Sequence, residues 1–487
     1  MRARLLALLW LVVPVHAAAA PLDGYEAYAR KALADWKVPG AAIAVVKDGR
    51  VVAVTGIGVR EAGKPEKVDE HTVFAIASLS KGITAASVAL LVDEGKVRWD
   101  DRVIEHLPGF RVADPYVTRE LTLRDLLAHR SGLTPDADWL WGLGYRPDEI
   151  LARLRYATQG SSLRAAFSYQ NVLYLVLGEV VAARAGMSWQ RFTRERLLGP
   201  LGMNETRLTL AELAGASNVA RPHSDRSGAM VPLPAHEDGD PVAPAASASS
   251  TAADLARWMR FQLGDPGVGG ALVRPETREE MQAPQMLDPL GPSGRKLYPG
   301  TRFRAYAFGW VVQDHRGRTV VWNTGGLSGM TCSLALVPEE KLGVAVLTNG
   351  PRIALPEALV FRALDAYLGA PPRDWSGLRL ADSLARRAQA EPARPAAAPA
   401  VLPLDRYAGT YGQDLLGDVV VVATGARLSL RFGRALAGEA EPWGRDSFRI
   451  RWANPEYGVD VVVFQLDASG LPARLVVDGL GAFDRRP

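Results

Sequence analysis

At 487 residues the chain is longer than one ordinary domain, and its 48% apolar and 23% charged content is that of a soluble globular protein. The net charge of +4 is carried by arginines scattered along the chain, with no basic run interleaved with aromatics, which argues against a nucleic-acid partner. A single cysteine excludes an internal disulfide, and seven dispersed histidines without His-x-x-x-His or Cys/His spacing imply neither a metal nor another cofactor.

The first twenty residues read as an export signal. Arg2 and Arg4 open it, Leu5 to Val15 form its apolar core, and Val15-His16-Ala17 or Ala18-Ala19-Ala20 offers a small-residue cleavage site. The apolar core, interrupted by Pro14, is too short to span a bilayer, so the expectation is a periplasmic or secreted protein with no stable membrane span. Ala41 to Val54 is two β-type runs around Lys47-Asp48-Gly49, a hairpin signal. Next, the apolar run Phe74-Ala75-Ile76-Ala77 leads into Ser78-Leu79-Ser80-Lys81, and Gly82 to Val97 continues with helical spacing to a stop at Gly95. A serine three residues before a lysine at a helix start shares one face with it. The amine can take the hydroxyl proton once burial or a nearby cation lowers its pKa.

From Ser78 to about Met259 the pattern is mainly helical with loops. Tyr169-Gln170-Asn171 stands just before one helical run. A tyrosine there can bridge the serine and lysine as a base, and the asparagine can hydrogen-bond lysine or a substrate amide. Equally, Tyr169 reads as an ordinary half-buried aromatic and Asn171 as a helix cap. Ser293-Gly294-Arg295-Lys296 repeats the serine–lysine spacing within a Pro/Gly-rich stretch, where a loop is expected and no helix would hold the pair. Strand signals return at residues 306–312, 319–322, 332–337 and 344–347, followed by a helix over Leu355 to Leu368. Asn323-Thr324-Gly325-Gly326 is expected at the end of one strand, as a site of close substrate approach or as a simple glycine turn. Cys332, in an apolar run, reads as a buried small side chain.

Strands at both ends with helices between them predict an α+β fold: one antiparallel sheet flanked by helices, with a helical region inserted. Ala385 to Pro403, rich in Ala, Pro and Arg, reads as a linker. The expected organisation is a signal over 1–20, an α+β domain over 21–375, a linker over 376–403 and a small all-β domain over 404–487. In the last, short β runs at 418–423, 427–432, 447–452, 459–466 and 473–477, separated by turn signals, predict an antiparallel meander or barrel.

Together the three motifs resemble the serine β-lactamase and penicillin-binding-protein superfamily, in its branch of class C β-lactamases, D-Ala-D-Ala carboxypeptidases and family VIII esterases. Leu126-Leu127-Ala128-His129-Arg130-Ser131-Gly132-Leu133, Pro200-Leu201-Gly202-Met203 and Ser250-Thr251-Ala252-Ala253-Asp254-Leu255-Ala256 extend the resemblance over about residues 22–370. The C-terminal segment resembles the lipocalin-like domain appended to some of these hydrolases, through Tyr407-Ala408-Gly409-Thr410-Tyr411 and Trp443 to Phe448. The resemblance implies that Ser78 is the acylated nucleophile, Lys81 its proton partner and Tyr169 the general base or shuttle. It implies further that Asn171 positions substrate, that Asn323, Thr324, Gly325 and Gly326 border it, and that the Ser78 and Gly326 N–H groups form an oxyanion hole. His129 falls at a position that is structural in the family. One departure stands out: the third motif opens with lysine or histidine in the family, and here with Asn323. Loss of that cation weakens the fit to a carboxylate-bearing β-lactam. The implied function is an exported hydrolase of esters or of peptides and amides, D-residues included, acting through an acyl-enzyme; a β-lactamase and a non-catalytic or slowly acylated binding protein are the alternatives.

Overall fold

The computed structural model describes residues 21–226, 229–389, 402–454 and 457–487, so the export-signal reading of residues 1–20 lies outside it. Gly40–Lys47 (β1) and Arg50–Gly58 (β2) form the expected hairpin, whose turn places Asp48 at φ 51° and Gly49 at φ 73°. Left-handed turn residues of this kind match the twist of the flanking strands. Phe74–Ala75 (β3) leads into the turn that carries Ser78, and a helical insertion follows. Late in the insertion come a small hairpin, β4 (His223–Arg226) with β5 (Ala229–Pro232), and Ser249–Ser250 (β6), which pairs with β3. The chain then returns to the main sheet through β7 (Met286–Leu287), β8 (Arg304–Tyr306), β9 (Val311–His315), β10 (Arg318–Leu327), β11 (Met330–Val337) and β12 (Leu342–Thr348). The order is β2-β1-β12-β11-β10-β9-β8-β7, and β1 runs antiparallel to β12 from Ala41 opposite Thr348 to Lys47 opposite Leu342. The sheet is thus built from both ends of the hydrolase-like region, as expected.

Alternation along each strand sorts side chains between two cores. Ala41, Ile43 and Val45 pack with the helices Tyr25–Trp36 and Ala354–Tyr367, whereas Ala42, Ala44 and Val46 join the core shared with the insertion.

Four expectations are corrected. Residues 376–389, expected to open the linker, belong to the helix Trp375–Gln389, which is anchored by the buried Trp375 donating from Nε1 to Asp365 (2.8 Å); residues 390–401 lie outside the described part. The run 306–312 is not one strand, because Ala307, Phe308, Gly309 and Trp310 separate β8 from β9, and Gly309 (φ +80°) lies so close to the Lys81 backbone that a Cβ would stand 2.7 Å from the Lys81 carbonyl carbon. The stretch from Asn323 to Gly326 lies inside β10, and the turn comes later, at Gly329 (φ 77°). Ser293 and Lys296 sit on a short helix, Pro292–Leu297, but both side chains are exposed.

The C-terminal segment closes a barrel of eight antiparallel strands: β13 (Gly409–Gln413), β14 (Gly417–Thr424), β15 (Arg427–Phe432), β16 (Leu436–Gly444), β17 (Ser447–Trp452), β18 (Val459–Leu466), β19 (Pro472–Val477) and β20 (Gly481–Arg485). The sequence signalled five of them; β13, β16 and β20 carry glycine, proline or charge, and pairing with both neighbours holds them in the closed sheet. The barrel docks on the insertion. Tyr145 donates to the Leu416 carbonyl (3.1 Å), and the Arg434 guanidinium grips both Glu149 oxygens at 2.6 and 2.7 Å. Among the described residues no single helix is long and apolar enough to cross a membrane.

Candidate active site

Ser78 lies in a tight turn, Ala77–Leu79, that runs directly into the helix Ser80–Asp93. Ala77 adopts φ 46°, a costly backbone conformation for a residue with a Cβ. The turn is wedged against β10. A Cβ on Gly325 would meet the Ile76 carbonyl oxygen at 2.1 Å, and Cys332 Sγ donates to that same oxygen at 3.3 Å. Gly325 therefore sets how closely the strand approaches the nucleophile turn. Cys332 is wholly buried, as expected, and burial pushes its thiol pKa up, the wrong direction for a nucleophile. Ser78 is half-buried and meets solvent on one side, while Ser80 and Lys81 are fully buried.

Burial is the main influence on Lys81. It disfavours the ammonium form and lowers the pKa to about 7, against an opposing pull from the Asp138 carboxylate. The amine donates to Asn171 Oδ1 (2.6 Å) and to the Ala245 carbonyl (3.2 Å), and Ser78 Oγ stands 3.2 Å away. A neutral amine has two hydrogens and one lone pair. With both hydrogens on carbonyl acceptors, the lone pair is left for the serine hydroxyl.

Tyr169 OH donates to Ser78 Oγ at 2.8 Å. Burial raises its pKa, so the phenol holds its proton and its part is that of a donor or relay. His129 positions it. Nδ1 of His129 accepts from the Gln170 backbone N–H (3.2 Å), its carbonyl accepts from the Ser168 N–H (2.8 Å), and its ring packs 4.3 Å from the Tyr169 ring. Burial, aided by Lys81, holds His129 well below the usual histidine pKa and hence neutral, which a ring nitrogen accepting from a backbone amide requires. Gln170 ties the same loop to the Leu133 and Thr134 carbonyls (2.9 and 2.8 Å).

The sequence did not single out Asp138. Its carboxylate accepts from Asn171 Nδ2 (2.8 Å) and from the Val172 N–H (3.0 Å), capping the helix Asn171–Ala185 and fixing the Asn171 amide with its oxygen toward Lys81. Asn171 is thus the link between Asp138 and Lys81, not the helix cap. Burial raises the Asp138 pKa while these hydrogen bonds and Lys81 oppose the rise. No motif spacing marks Asp138, which arrives from the Pro135–Asp138 turn, 33 residues before Asn171.

Of the third motif, Gly326 is exposed at the cleft, and Thr324 and Gly325 flank the serine turn on β10. Asn323 is 5% exposed and faces inward. Its Nδ2 donates to the Gly309 carbonyl (2.9 Å) and reaches the Ser78 carbonyl (3.4 Å), while Oδ1 accepts from the Thr324 N–H (2.8 Å). The position joins the backbones at Ser78, Gly309 and Thr324 without supplying a charge.

A serine, a buried lysine and a tyrosine on one oxygen, beside a glycine-bearing strand edge, are what the family described as "Beta-lactamase" would bring together, and its model matches residues 26–368. The chain belongs to the beta-lactamase family. A second model, "Domain of unknown function (DUF3471)", matches residues 393–485, a range that includes the barrel strands. Within the family, the chain is 26% identical over 457 residues to "Unguisins hydrolase ungD" of Aspergillus violaceofuscus, covering 86% of this chain and 79% of that protein. It is 34% identical over 320 residues to "Penicillin-binding protein 4" of Amycolatopsis lactamdurans, covering 64% and 81% respectively. Two solved structures share the fold across nearly the whole chain. The octameric penicillin-binding protein homologue from Pyrococcus abyssi has a TM-score of 0.63 at 22% identity, covering 95% of this chain and 99% of its own. SurE has a TM-score of 0.60 at 24% identity, covering 96% and 100%.

Proposed function

We propose that this beta-lactamase-family protein is an exported hydrolase that cleaves esters or peptide and amide bonds, D-residues included, through an acyl-enzyme on Ser78. The observation that carries it is the pair of contacts on Ser78 Oγ: Lys81 Nζ at 3.2 Å, with a pKa near neutrality, and Tyr169 OH at 2.8 Å. Neutral Lys81 takes the hydroxyl proton as Oγ bonds to the substrate carbonyl carbon. The resulting oxyanion is held by the Ser78 and Gly326 N–H groups. The bond to the leaving group then breaks, with Lys81 returning the proton to it through Tyr169. Water, giving its proton to the same amine, releases the acid and restores the serine. A hydrolase and a penicillin-binding protein among the relatives favour acyl transfer over a purely binding role. The uncharged Asn323 favours neutral esters and amides over carboxylate-bearing β-lactams.

The test is intact mass after exposure to a fluorophosphonate and to penicillin, with turnover measured on p-nitrophenyl esters, D-amino-acid amides and β-lactams. A single adduct mapped to Ser78 together with ester or amide turnover is expected. An adduct with no turnover of any class would establish an acyl-accepting binder instead. Recovery of the secreted protein with an N-terminus near residue 20 tests export.

A further inference from the structure

A cavity of about 420 Å³ shares Asn171, Asp138 and Gly326 with the active site as part of its lining. Its aromatic lining comes from Trp139 and Trp141 and from Tyr457, contributed by the barrel between β17 and β18; the Trp139 and Tyr457 rings meet edge to face at 6.2 Å. Its only charged lining groups among the described residues are two carboxylates, Asp138 and Glu237. Glu237 is held in place by the Ser328 N–H (2.6 Å) and by Tyr457 OH (3.3 Å). Asn323 stands uncharged where the family's third motif would bring a lysine or histidine.

We propose that this cavity receives a positively charged group of the substrate, an ammonium carried by either the acyl or the leaving portion. The inference rests on the acyl-transfer reading of Ser78 and adds its substrate class. Aromatic faces attract a cation through their quadrupoles, and a carboxylate beside them supplies the opposite charge in a partly desolvated space. A carboxylate on the substrate would meet Glu237 and Asp138 with like charge, which builds rejection into the same wall. Because Asp138 reaches both the cavity and the Lys81 network, an ammonium bound there also disfavours protonation of Lys81, so the matching substrate readies its own base.

The experiment uses the full-length protein and isosteric pairs that differ in one charge. On the acyl arm, p-nitrophenyl 4-(trimethylammonio)butyrate is compared with p-nitrophenyl 5,5-dimethylhexanoate; on the leaving-group arm, choline butyrate is compared with 3,3-dimethylbutyl butyrate. The cation should be preferred about tenfold in kcat/KM on one arm, which identifies the portion that enters the cavity, and Glu237→Gln should remove most of that preference. In parallel, benzyltrimethylammonium is titrated by tryptophan fluorescence into wild type, Ser78→Ala, Glu237→Gln and Tyr457→Leu. Binding should survive Ser78→Ala and weaken about tenfold in the other two variants. Ratios at or below one on both arms, or a preference and an ammonium affinity unmoved by Glu237→Gln, would overturn the proposal. Ammonium binding without turnover of any ester, D-amino-acid amide or β-lactam would instead overturn the hydrolase reading and leave the cavity assignment standing.

Discussion

Replacing Asp138 with asparagine isolates what the Asp138–Asn171–Lys81 chain does. The carboxylate touches Asn171 at 2.8 Å, and the other end of that amide accepts from Lys81 at 2.6 Å, so a single amide separates the two charges. At an effective dielectric of about 20, unit charges about 7 Å apart interact by about 2.4 kcal/mol, equivalent to about 1.7 pH units. Asp138 stabilises the ammonium form, so its removal lowers the Lys81 pKa below its present value of about 7. A lysine acting as base must be neutral, and activity rises with pH as the ammonium loses its proton. The acidic limb of kcat/KM, expected near pH 7 in the wild type, should therefore move to lower pH in Asp138→Asn by between one and two units. The plateau should also fall severalfold, because an asparagine cannot accept from both Asn171 Nδ2 and the Val172 N–H, and one neutral hydrogen bond contributes about 1 kcal/mol. The assay is ester hydrolysis from pH 4.5 to 9, corrected for the buffer reaction. A lower plateau with the limb unmoved would show that Asp138 only braces the helix. A limb displaced to higher pH would refute the electrostatic reasoning outright.

Ser78→Ala should abolish covalent labelling and turnover, and labelling mapped to the exposed Ser293 would remove the nucleophile assignment. Lys81→Ala and Tyr169→Phe should each lower kcat by about two to four orders of magnitude, the usual weight of positioned proton transfer. Tyr169→Phe should keep the acidic limb near pH 7, since the titrating group is Lys81; its disappearance would make the phenol the base. Asn323→Lys should raise acylation by penicillins relative to neutral esters about tenfold, the gain from a neutral to a charge-assisted hydrogen bond near a substrate carboxylate. An unchanged ratio would leave pocket shape as the determinant. Gly325→Ala should destabilise the protein by about 3 kcal/mol in denaturant titration, because the new methyl has no room against Ile76 and Cys332. A loss under about 1 kcal/mol would mean that the nucleophile turn yields easily.

The serine and lysine were legible in the sequence because a helix start fixes residues three apart on one face, whatever surrounds it. The main-sheet hairpin was legible for a similar reason: Lys47-Asp48-Gly49 carries its turn chemistry locally. The barrel was half legible, since β14, β15 and β17 to β19 have strand-forming runs, whereas β13, β16 and β20 take their conformation from their partners. The Trp375–Gln389 helix escaped notice because Ala- and Arg-rich sequence suits both linker and helix, and Trp375 settles the matter by packing against a distant strand and helix. What no local pattern encodes is the environment of Lys81. Its pKa follows from burial among residues brought from Asn171, Ala245 and Asp138, and desolvation is a property of everything around a group. The cavity is the same kind of object: Asp138 and Trp139, Glu237, and Tyr457 of the barrel are far apart in the chain, and charge and aromatic faces converge on one space only after the domains have docked. Residue identity and helical or strand period therefore determined the elements and the reacting pair. The tertiary structure decided which of those groups is neutral, which way the Asn323 and Asn171 amides face, and what charge a substrate meets, because electrostatics and solvent exclusion depend on distance in space and not on separation along the chain.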